Sequence, residues 1–426
     1  MDMDVENFHC ADAPPETILC KQRGGDSGGM TMSHEWRTVK LVDISAKRRW
    51  ALNGGPFGSK LSRKHYSESG VPVIRGTNLS ADSKFSFDDF VYVSEEKADE
   101  LRANNAHPGD LIFTQRGTIG QVGLIPFDSP ISRFVISQSQ MKLTVDPEQA
   151  DALFLYYFFS AVDTVQKIQN LAFAAGVPHI NLDILRKFET PVPPLPVQRR
   201  IAGILSAYDE LIENSLRRIR ILEKMARALY REWFVCFRFP GHESHPLVAS
   251  SLGDIPQGWE VKKLGDVAIL NYGKALKKEN RCDGVYPVYG SSGIVGMHDT
   301  NLVKGPGIIV GRKGNVGSIF WCDDDFFVID TAYFVTSYLP LRYLFYVLPT
   351  MNFINSDAAV PGLSRNQAYT LEILVPPAAL LKKFCELAGT FESQASTLQR
   401  QIQNLRLTRD HLLPKLLAGD VKLKEN

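Results

Sequence analysis

The stretch IAGILSAYDELIENSLRRIRILEKMARALYREW, residues 201–233, decides the fold of this chain. Its apolar residues recur at alternating steps of four and three, and no proline occurs from 197 to 239. This heptad spacing is typical of a long helix that buries one apolar seam against another helix. The predicted seam of the first helix contains Ile201, Leu205, Tyr208, Ile212, Ile219, Leu222 and Leu229.

A second stretch with the same spacing lies 183 residues further on, from 384 to 416. Arg409 departs from its apolar pattern, at the place that Ala226 occupies in the first helix. We expect the two seams to bury each other within the chain, because an exposed apolar stripe promotes aggregation. The alternative is that each helix dimerises separately. The predicted seam of the second helix contains Phe384, Phe391, Leu398, Ile402, Leu405 and Leu412.

Each helix closes one of two related halves of the chain, because four short segments recur in the same order in both. The first pair has the sequences WRTVKLVDI and WEVKKLGDV. The four pairs are 36–44 with 259–267, 115–120 with 312–317, 174–178 with 357–361, and 192–194 with 375–377.

The rest of each half consists of short apolar runs bounded by Gly and Pro, which predict strands, for example at 71–74, 111–113 and 307–310. Residues 151–169 and 341–354 predict helices. The fold class is therefore α/β, with two pseudo-symmetric mixed α/β domains separated by two long helices that form a coiled coil. The predicted segments are a flexible N-terminal extension at 1–33, a first domain at 34–195, a central helix at 196–238, a linker at 239–254, a second domain at 255–377 and a C-terminal helix at 378–418.

Composition excludes several classes of protein. The 426 residues are 44% hydrophobic and 22% charged, which argues against long disorder. The chain has 48 basic and 47 acidic residues, so its net charge is close to zero. Any surface that binds nucleic acid must therefore be a local basic patch. No apolar run is long enough to span a membrane, and no secretory signal is visible. The six scattered cysteines favour reduced thiols, so we expect a cytoplasmic protein.

Catalytic motifs are missing from the sequence. There is no phosphate-binding Gly-x-x-x-x-Gly-Lys-Ser/Thr loop, no Gly-x-Ser-x-Gly elbow, and no Asn/Asp-Pro-Pro-aromatic motif of an amino-methyltransferase. Cys236, His242 and His245 lie close in sequence, but their spacing matches no zinc module. We therefore expect a non-catalytic chain without a metal or cofactor of its own.

The glycine-flanked turns at 115–120 and 312–317 are candidate DNA contacts, because Arg and Lys can bind guanine and Gln or Asn can bind adenine in the major groove. The alternative is an ordinary exposed turn. Further basic and polar side chains near strand ends could contact the DNA backbone. The candidate DNA-binding residues are Lys60, Arg63, Arg75, Asn78, Gln115, Arg116 and Thr118 in the first half, and Lys274, Lys277, Arg312, Lys313 and Asn315 in the second.

Several of these segments together resemble the DNA-specificity (S) subunit of type I restriction–modification systems. The resemblance covers about residues 34–420, and its motifs lie largely in the helices and their entries. The second half has no clear counterpart of the motif at 55–60. The motifs are GPFGSK at 55–60, GVPVIR at 70–75, PPLPVQRRIA at 193–202, LYREWF at 229–234, GLSR at 362–365 and LLPKLLAG at 412–419.

The resemblance implies that the two domains are target-recognition domains, each reading half of a bipartite, asymmetric site in double-stranded DNA. It implies that the helices form an antiparallel coiled coil, which sets the half-site spacing and docks two methyltransferase subunits. Those partners would bind S-adenosylmethionine and methylate adenine N6, and two restriction subunits would use ATP and Mg. Two alternatives are a coiled-coil scaffold that pairs two client proteins without binding DNA, and an enzyme with an unrecognised site.

Overall fold

The computed structural model describes residues 36–79, 83–174, 179–353 and 362–421. The predicted extension at 1–33 and most of the repeat pair 174–178 with 357–361 lie outside the described residues.

The first half contains eleven strands and five helices in its described part. In chain order they are β1 (Arg37–Lys40), β2 (Leu52–Gly54), β3 (Tyr66–Ser67), β4 (Val71–Ile74), β5 (Val91–Val93), α1 (Glu95–Glu100), β6 (Asn105–Ala106), β7 (Leu111–Thr114), β8 (Val122–Leu124), β9 (Phe134–Ile136), β10 (Gln140–Leu143), α2 (Ala152–Ser160), α3 (Val162–Ala174), α4 (Leu182–Lys187), β11 (Glu189–Val192) and α5 (Leu195–Tyr230).

The second half contains eleven strands and four helices in the part that the structure describes. In chain order they are β12 (Leu247–Ser250), β13 (Gly253–Pro256), β14 (Glu260–Lys263), α6 (Leu264–Val267), β15 (Ala268–Tyr272), β16 (Tyr286–Gly290), β17 (Gly293–His298), β18 (Gly307–Gly311), β19 (Ile319–Cys322), β20 (Phe327–Val328), β21 (Ala332–Ser337), α7 (Leu341–Val347), α8 (Arg365–Tyr369), β22 (Glu372–Val375) and α9 (Ala378–Leu417).

The two halves share one sheet topology. The antiparallel sheet β2-β10-β7-β8 of the first domain has its counterpart in β15-β21-β18-β19 of the second. The two-stranded pairs β1-β11 and β14-β22 also correspond. A further sheet in each domain contains one parallel pair, β4 with β9 and β16 with β20. The prediction of two pseudo-symmetric mixed α/β domains is therefore confirmed.

Both domain cores include the ends of the two long helices. Ile201 and Leu205 of α5 pack in the first core together with Leu416 of α9. Phe384 of α9 packs in the second core together with Trp233, which follows α5. Because the start of each helix meets the end of the other, α5 and α9 run antiparallel.

The middle of the helix pair has a small core of its own, formed by Ile212, Ile219, Leu398 and Ile402. All thirteen predicted seam residues are buried or half-buried. The seams therefore bury each other within one chain, as the sequence predicts, and are not left free for separate dimers. A pair of helices whose ends are built into two cores holds the domains at a fixed separation.

Arg409 has a partner although it departs from the seam. Its Nη1 lies 2.7 Å from Asp209 Oδ1 on α5, and both side chains are mostly buried. The Tyr157 hydroxyl of α2 donates to the other oxygen of Asp209, and Lys84 Nζ lies 3.7 Å from it. Burial and the nearby Asp209 carboxylate raise the pKa of Tyr157 far above its ordinary value. This cluster ties the first domain to both helices.

The second domain has a related cluster. Tyr346 of α7 donates its hydroxyl proton to Glu392 (2.7 Å), which lies 183 residues after Asp209. The cation here is Arg342 of the domain itself, with Nε 2.5 Å from Glu392. Each domain is thus fastened to the coiled coil by a tyrosine and a carboxylate at equivalent positions, while the cations come from different elements.

Three predicted boundaries require correction. The central helix is α-helical over Leu195–Tyr230 and continues as a π-helical turn, Arg231–Val235, so it does not extend to 238. The predicted linker at 239–254 contains β12 and the start of β13, which form a hairpin. Leu247–Ser250 is largely exposed. Its residues do not alternate between apolar and polar, which is the pattern that predicts a strand. The helix predicted at 341–354 ends at Val347 and continues only as a short 3-10 turn.

Within the described residues, no helix is both long enough and apolar enough to cross a membrane.

Candidate nucleic-acid interface

Four loops of the first domain meet at one end of its sheets, which we call the first edge. The connection 137–140 lies at its centre. Its carbonyl oxygens accept hydrogen bonds from the backbone N–H groups of Gly55 (2.8 Å) and Gln115 (2.7 Å), and its first N–H donates to the carbonyl of Ile74 (2.9 Å). The first edge therefore consists of the loops 55–61, 75–79, 115–121 and 137–139.

The second domain builds an equivalent second edge. The Thr331 carbonyl accepts hydrogen bonds from the N–H groups of Arg312 (2.9 Å) and Lys313 (3.1 Å). The Ile329 N–H donates to the carbonyl of Tyr289 (2.9 Å), and the Lys274 N–H donates to a carbonyl at the end of β20 (2.9 Å). The second edge consists of the loops 273–278, 290–292, 312–318 and 329–331.

Strand register supplies the counterpart of the 55–60 motif that the sequence did not reveal. Gly55 follows β2 and Gly273 follows β15, and β2 and β15 occupy equivalent places in their sheets. A Cβ atom on Gly55 would overlap the Ser137 carbonyl oxygen, and one on Gly273 would overlap the Ile329 carbonyl oxygen. Residues 273–278 therefore correspond to 55–60. At the start of these two loops, the only residue in common is the glycine that allows the close approach. Comparison of the two sequences therefore could not reveal the correspondence.

Most of the predicted DNA-binding side chains are exposed on these two edges. Gln115 and Arg312 are half-buried at the base of their turns. The exposed residues are Lys60, Arg116 and Thr118 at the first edge and Lys274, Lys277, Lys313 and Asn315 at the second, and Arg63 is exposed just beyond the 55–61 loop. The structure thus brings each half's predicted residues together on one surface.

Asn78 is a correction, because its side chain is 0% exposed and cannot contact DNA in this conformation. Its amide donates to the Asp88 carbonyl (2.8 Å), and its Oδ1 accepts the Arg75 N–H (2.9 Å). Arg75 is half-buried and donates to the Asp89 carbonyl. Asn78 shapes the loop after β4, where a polar residue near a strand end satisfies backbone groups.

Two features of the edges were not predicted from the sequence. Phe57 is 87% exposed at the tip of the 55–61 loop, which Gln138 holds through hydrogen bonds to the Gly58 and Leu61 carbonyls. Arg365, part of the GLSR motif, stacks on Tyr272 at the second edge. Both residues lie in motifs that support the family resemblance, but their exposure and stacking depend on contacts that only the folded chain makes.

Each of the two histidines after α5 holds one ring nitrogen at a backbone carbonyl. His242 Nδ1 lies 2.9 Å from the Phe239 carbonyl, and His245 Nδ1 lies 3.0 Å from the Gly241 carbonyl. Both rings pack against Phe239.

Elsewhere in the described chain, Cys282, His298 and Asp299 are close enough to share an ion. However, His298 Nδ1 already accepts the Cys282 N–H (3.2 Å), so the ring is held by the backbone.

The repeated fold and its paired edges agree with a comparison against known protein families. The model of the type I restriction modification DNA specificity domain matches residues 33–224 and 256–403. The chain belongs to this family. The resemblance inferred from the sequence is therefore confirmed, and the family assignment covers both domains and most of both long helices.

Individual relatives match different shares of the chain. The type I restriction enzyme MjaIX specificity subunit of Methanocaldococcus jannaschii is 25% identical over 437 residues, which is 92% of this chain and 94% of the relative. The MjaVIII specificity subunit of the same organism is 31% identical over 149 residues, 35% of this chain and 34% of the relative. The crystal structure of a type I system S subunit from M. genitalium superposes with a TM-score of 0.57 at 20% identity, covering 91% of this chain and 97% of that one, and supports the fold.

Proposed function

We propose that this chain is the non-catalytic, DNA-reading subunit of a type I restriction–modification complex. Each domain reads one half of an asymmetric bipartite site in double-stranded DNA. The observation that carries this proposal is the pair of equivalent edges, which share one backbone framework and expose different side chains. Equivalent frameworks suit the same task, and different side chains suit different base sequences.

The exposed groups at the edges have chemistry suited to DNA. At the first edge, Arg116 can donate to guanine O6 and N7, and the Thr118 hydroxyl can bond either a base or a phosphate. At the second edge, Lys313 can bind guanine and the Asn315 amide can bind adenine in a bidentate way. Lys60, Arg63, Lys274 and Lys277 surround these turns and would neutralise phosphates.

The coiled coil would set the distance between the half-sites. Helix α5 has 36 residues, which corresponds to about 54 Å at 1.5 Å per residue. The antiparallel pair relates the two domains by a pseudo-twofold, which suits two copies of one partner. We infer that two methyltransferase subunits dock along it, bind S-adenosylmethionine and methylate adenine N6, and that two restriction subunits join with ATP and Mg.

The proposal is tested by co-expressing the chain with its cognate methyltransferase subunit and mapping methylation by long-read sequencing. We expect N6-methyladenine in one gapped motif with two unlike halves. Unmethylated DNA in the presence of a folded, assembled complex would contradict the proposal and favour a scaffold that pairs clients without binding DNA. Methylation by the isolated chain would instead indicate a catalytic site of its own.

The assignment of domains to half-sites is tested by the double change Lys313→Ala and Asn315→Ala. We expect relaxed sequence preference in one half of the motif only, at a cost of about 1–3 kcal/mol per lost base contact. Lys263→Ala is the control, because Lys263 is exposed on β14 outside the second edge. Equal loss at both half-sites would contradict the one-domain, one-half-site arrangement.

A further inference from the structure

Arg312 of the second edge and Arg365, which begins α8, share one aromatic ring. Tyr272 ends β15 and is 47% exposed. The guanidinium carbon of Arg312 lies 4.8 Å from the centroid of its ring, and that of Arg365 lies 5.0 Å from it. Arg312 also faces Tyr333 at 5.8 Å, and Arg365 faces Tyr369 at 5.9 Å. The tyrosines thus fix both cations without neutralising them, because stacking occupies the guanidinium face and leaves the N–H groups to other acceptors.

Neither charge is balanced by the residues that the structure describes around it. No described carboxylate forms an ion pair with Arg312 or Arg365, and Arg312 Nη1 donates to the Asp330 backbone carbonyl (3.1 Å). Arg365 Nε is buried without a hydrogen-bond acceptor. Exposed Lys313 adds a further positive charge beside them. Holding like charges together is unfavourable unless an anion joins them, so the arrangement is suited to a negatively charged ligand.

The fold itself does not require this cluster, because the first domain does without it. In the equivalent sheet, Gln115 stands in the place of Arg312 and Gly54 in the place of Tyr272. The isolated bridges of Arg116 with His179 and of Lys313 with Gly362 set the remaining correspondence. By that correspondence, Leu182 of the first domain occupies the position that Arg365 has in the second. A cluster present in only one of two equivalent frameworks points to a task of that domain rather than to its folding.

We propose that Arg312 and Arg365 form a tyrosine-stacked clamp that binds backbone phosphates of DNA at the second half-site. This inference rests on the proposed DNA-reading function. Guanidinium groups match the geometry of phosphate oxygens and bind them with two parallel N–H donors. Because the rings fix both groups before DNA arrives, little side-chain freedom is lost on binding. The second domain then anchors the complex electrostatically, whereas the equivalent described positions of the first domain, Gln115 and Leu182, carry no cation.

The test measures DNA affinity across a salt series for the complex of the full chain and its methyltransferase subunit. The variants are Arg365→Leu and Arg312→Gln, each of which copies the residue of the first domain. Each phosphate contact contributes about 0.9 to the slope of log affinity against log salt. We therefore expect the magnitude of the salt slope of each variant to be smaller by about one than that of the parent complex. We also expect each variant to weaken binding equally on DNA with the motif and on DNA without it. Between 50 and 200 mM salt, the variants should lose roughly threefold less affinity than the parent.

Two further variants separate charge from stacking. Arg49→Leu is the matched control, because Arg49 stacks on Trp50 at 4.5 Å in the first domain, outside the first edge. We expect its salt slope to equal that of the parent. Tyr272→Leu keeps both cations but removes their shared ring, so we expect weaker binding with most of the slope retained.

Three results would overturn the clamp. If Arg365→Leu lowers the Tm but leaves the salt slope unchanged, the stack only stabilises the fold. If the variant relaxes the sequence preference at a single base, the arginine contacts that base and not a phosphate. A slope change in Arg49→Leu equal to that in Arg365→Leu would make the effect non-specific. Failure of the parent complex to bind or methylate DNA would instead contradict the proposed function itself.

Discussion

Gly55 shows how a single residue can determine the shape of an edge. Its missing Cβ lets the loop approach the Ser137 carbonyl, whereas Gly54 next to it has open space around a Cβ position. We expect Gly55→Ala to lower the free energy of unfolding by about 1–3 kcal/mol, because backbone atoms must move. Gly54→Ala should change it by less than about 1 kcal/mol. Urea unfolding of both variants checks this, and equal effects would contradict the close approach.

Arg409 illustrates the limit of reasoning from one sequence. The heptad pattern marks it as a departure, and that observation is correct. Its partner Asp209 is two hundred positions away, so the pattern could not identify the ion pair. Knowledge of the helix pairing would have been needed, because only antiparallel packing brings these two positions together. The same reason explains Asn78, whose burial depends on a loop that folds back over it.

We expect Arg409→Ala to destabilise the chain by about 1–3 kcal/mol, because Asp209 then loses its main cation in a mostly buried site. The substitution copies Ala226, so cavity formation is not expected to dominate. Asp410→Asn is the control, since that carboxylate is 60% exposed and its bond to Arg409 should be worth less than about 1 kcal/mol. Thermal unfolding checks both variants. A smaller effect for Arg409→Ala than for the control would contradict the role of the cluster.

The long helices are the elements that the sequence predicts best. Their heptad spacing is a local property, repeated often enough to identify both seams, and burial in the structure follows it. The β12–β13 hairpin was not foreseen, because β12 is largely exposed and the two strands pair only with each other. The edge loops could be predicted from the sequence only in part. Their exposed residues could be predicted from charge and turn chemistry, but the equivalence of 55–60 and 273–278 required strand register.

At the same scale, Ile402→Asp tests the helix pairing. Ile402 is 2% exposed in the central core of the coil, so an unpaired carboxylate there should cost about 3–5 kcal/mol. Leu407→Asp on the same helix is the control, because Leu407 is 59% exposed and should tolerate the charge within about 0.5 kcal/mol. Circular dichroism during urea unfolding measures both. Similar stability of the two variants would show that the seam has been assigned to the wrong face.

Burial holds several tyrosines neutral in the part of the molecule that the structure describes. Burial raises the pKa of Tyr156 to about 12, and it also raises the pKa values of Tyr157, Tyr343 and Tyr346 above their ordinary value. In the unfolded chain these hydroxyls ionise near pH 10. The unfolded state therefore loses protons first as the pH rises, and stability falls from about pH 10 upward.

We expect alkaline unfolding in which tyrosinate absorbance and loss of helical circular dichroism coincide, while stability stays flat with respect to these groups below pH 10. Tyr157→Phe removes the hydroxyl that faces Asp209 and should shift the transition to higher pH. Early titration of most tyrosines in a chain that is still folded would contradict their burial.

The ends of α5 and α9 belong to the hydrophobic cores of the domains as much as to the coil. Neither domain can come loose from the helix pair without exposing its own interior. Heat should therefore melt the helix pair and both domains in one cooperative step. A molecule built in this way cannot adjust its span by swivelling at a joint. Under the function proposed above, DNA with the wrong gap would have to bend or twist to be bound.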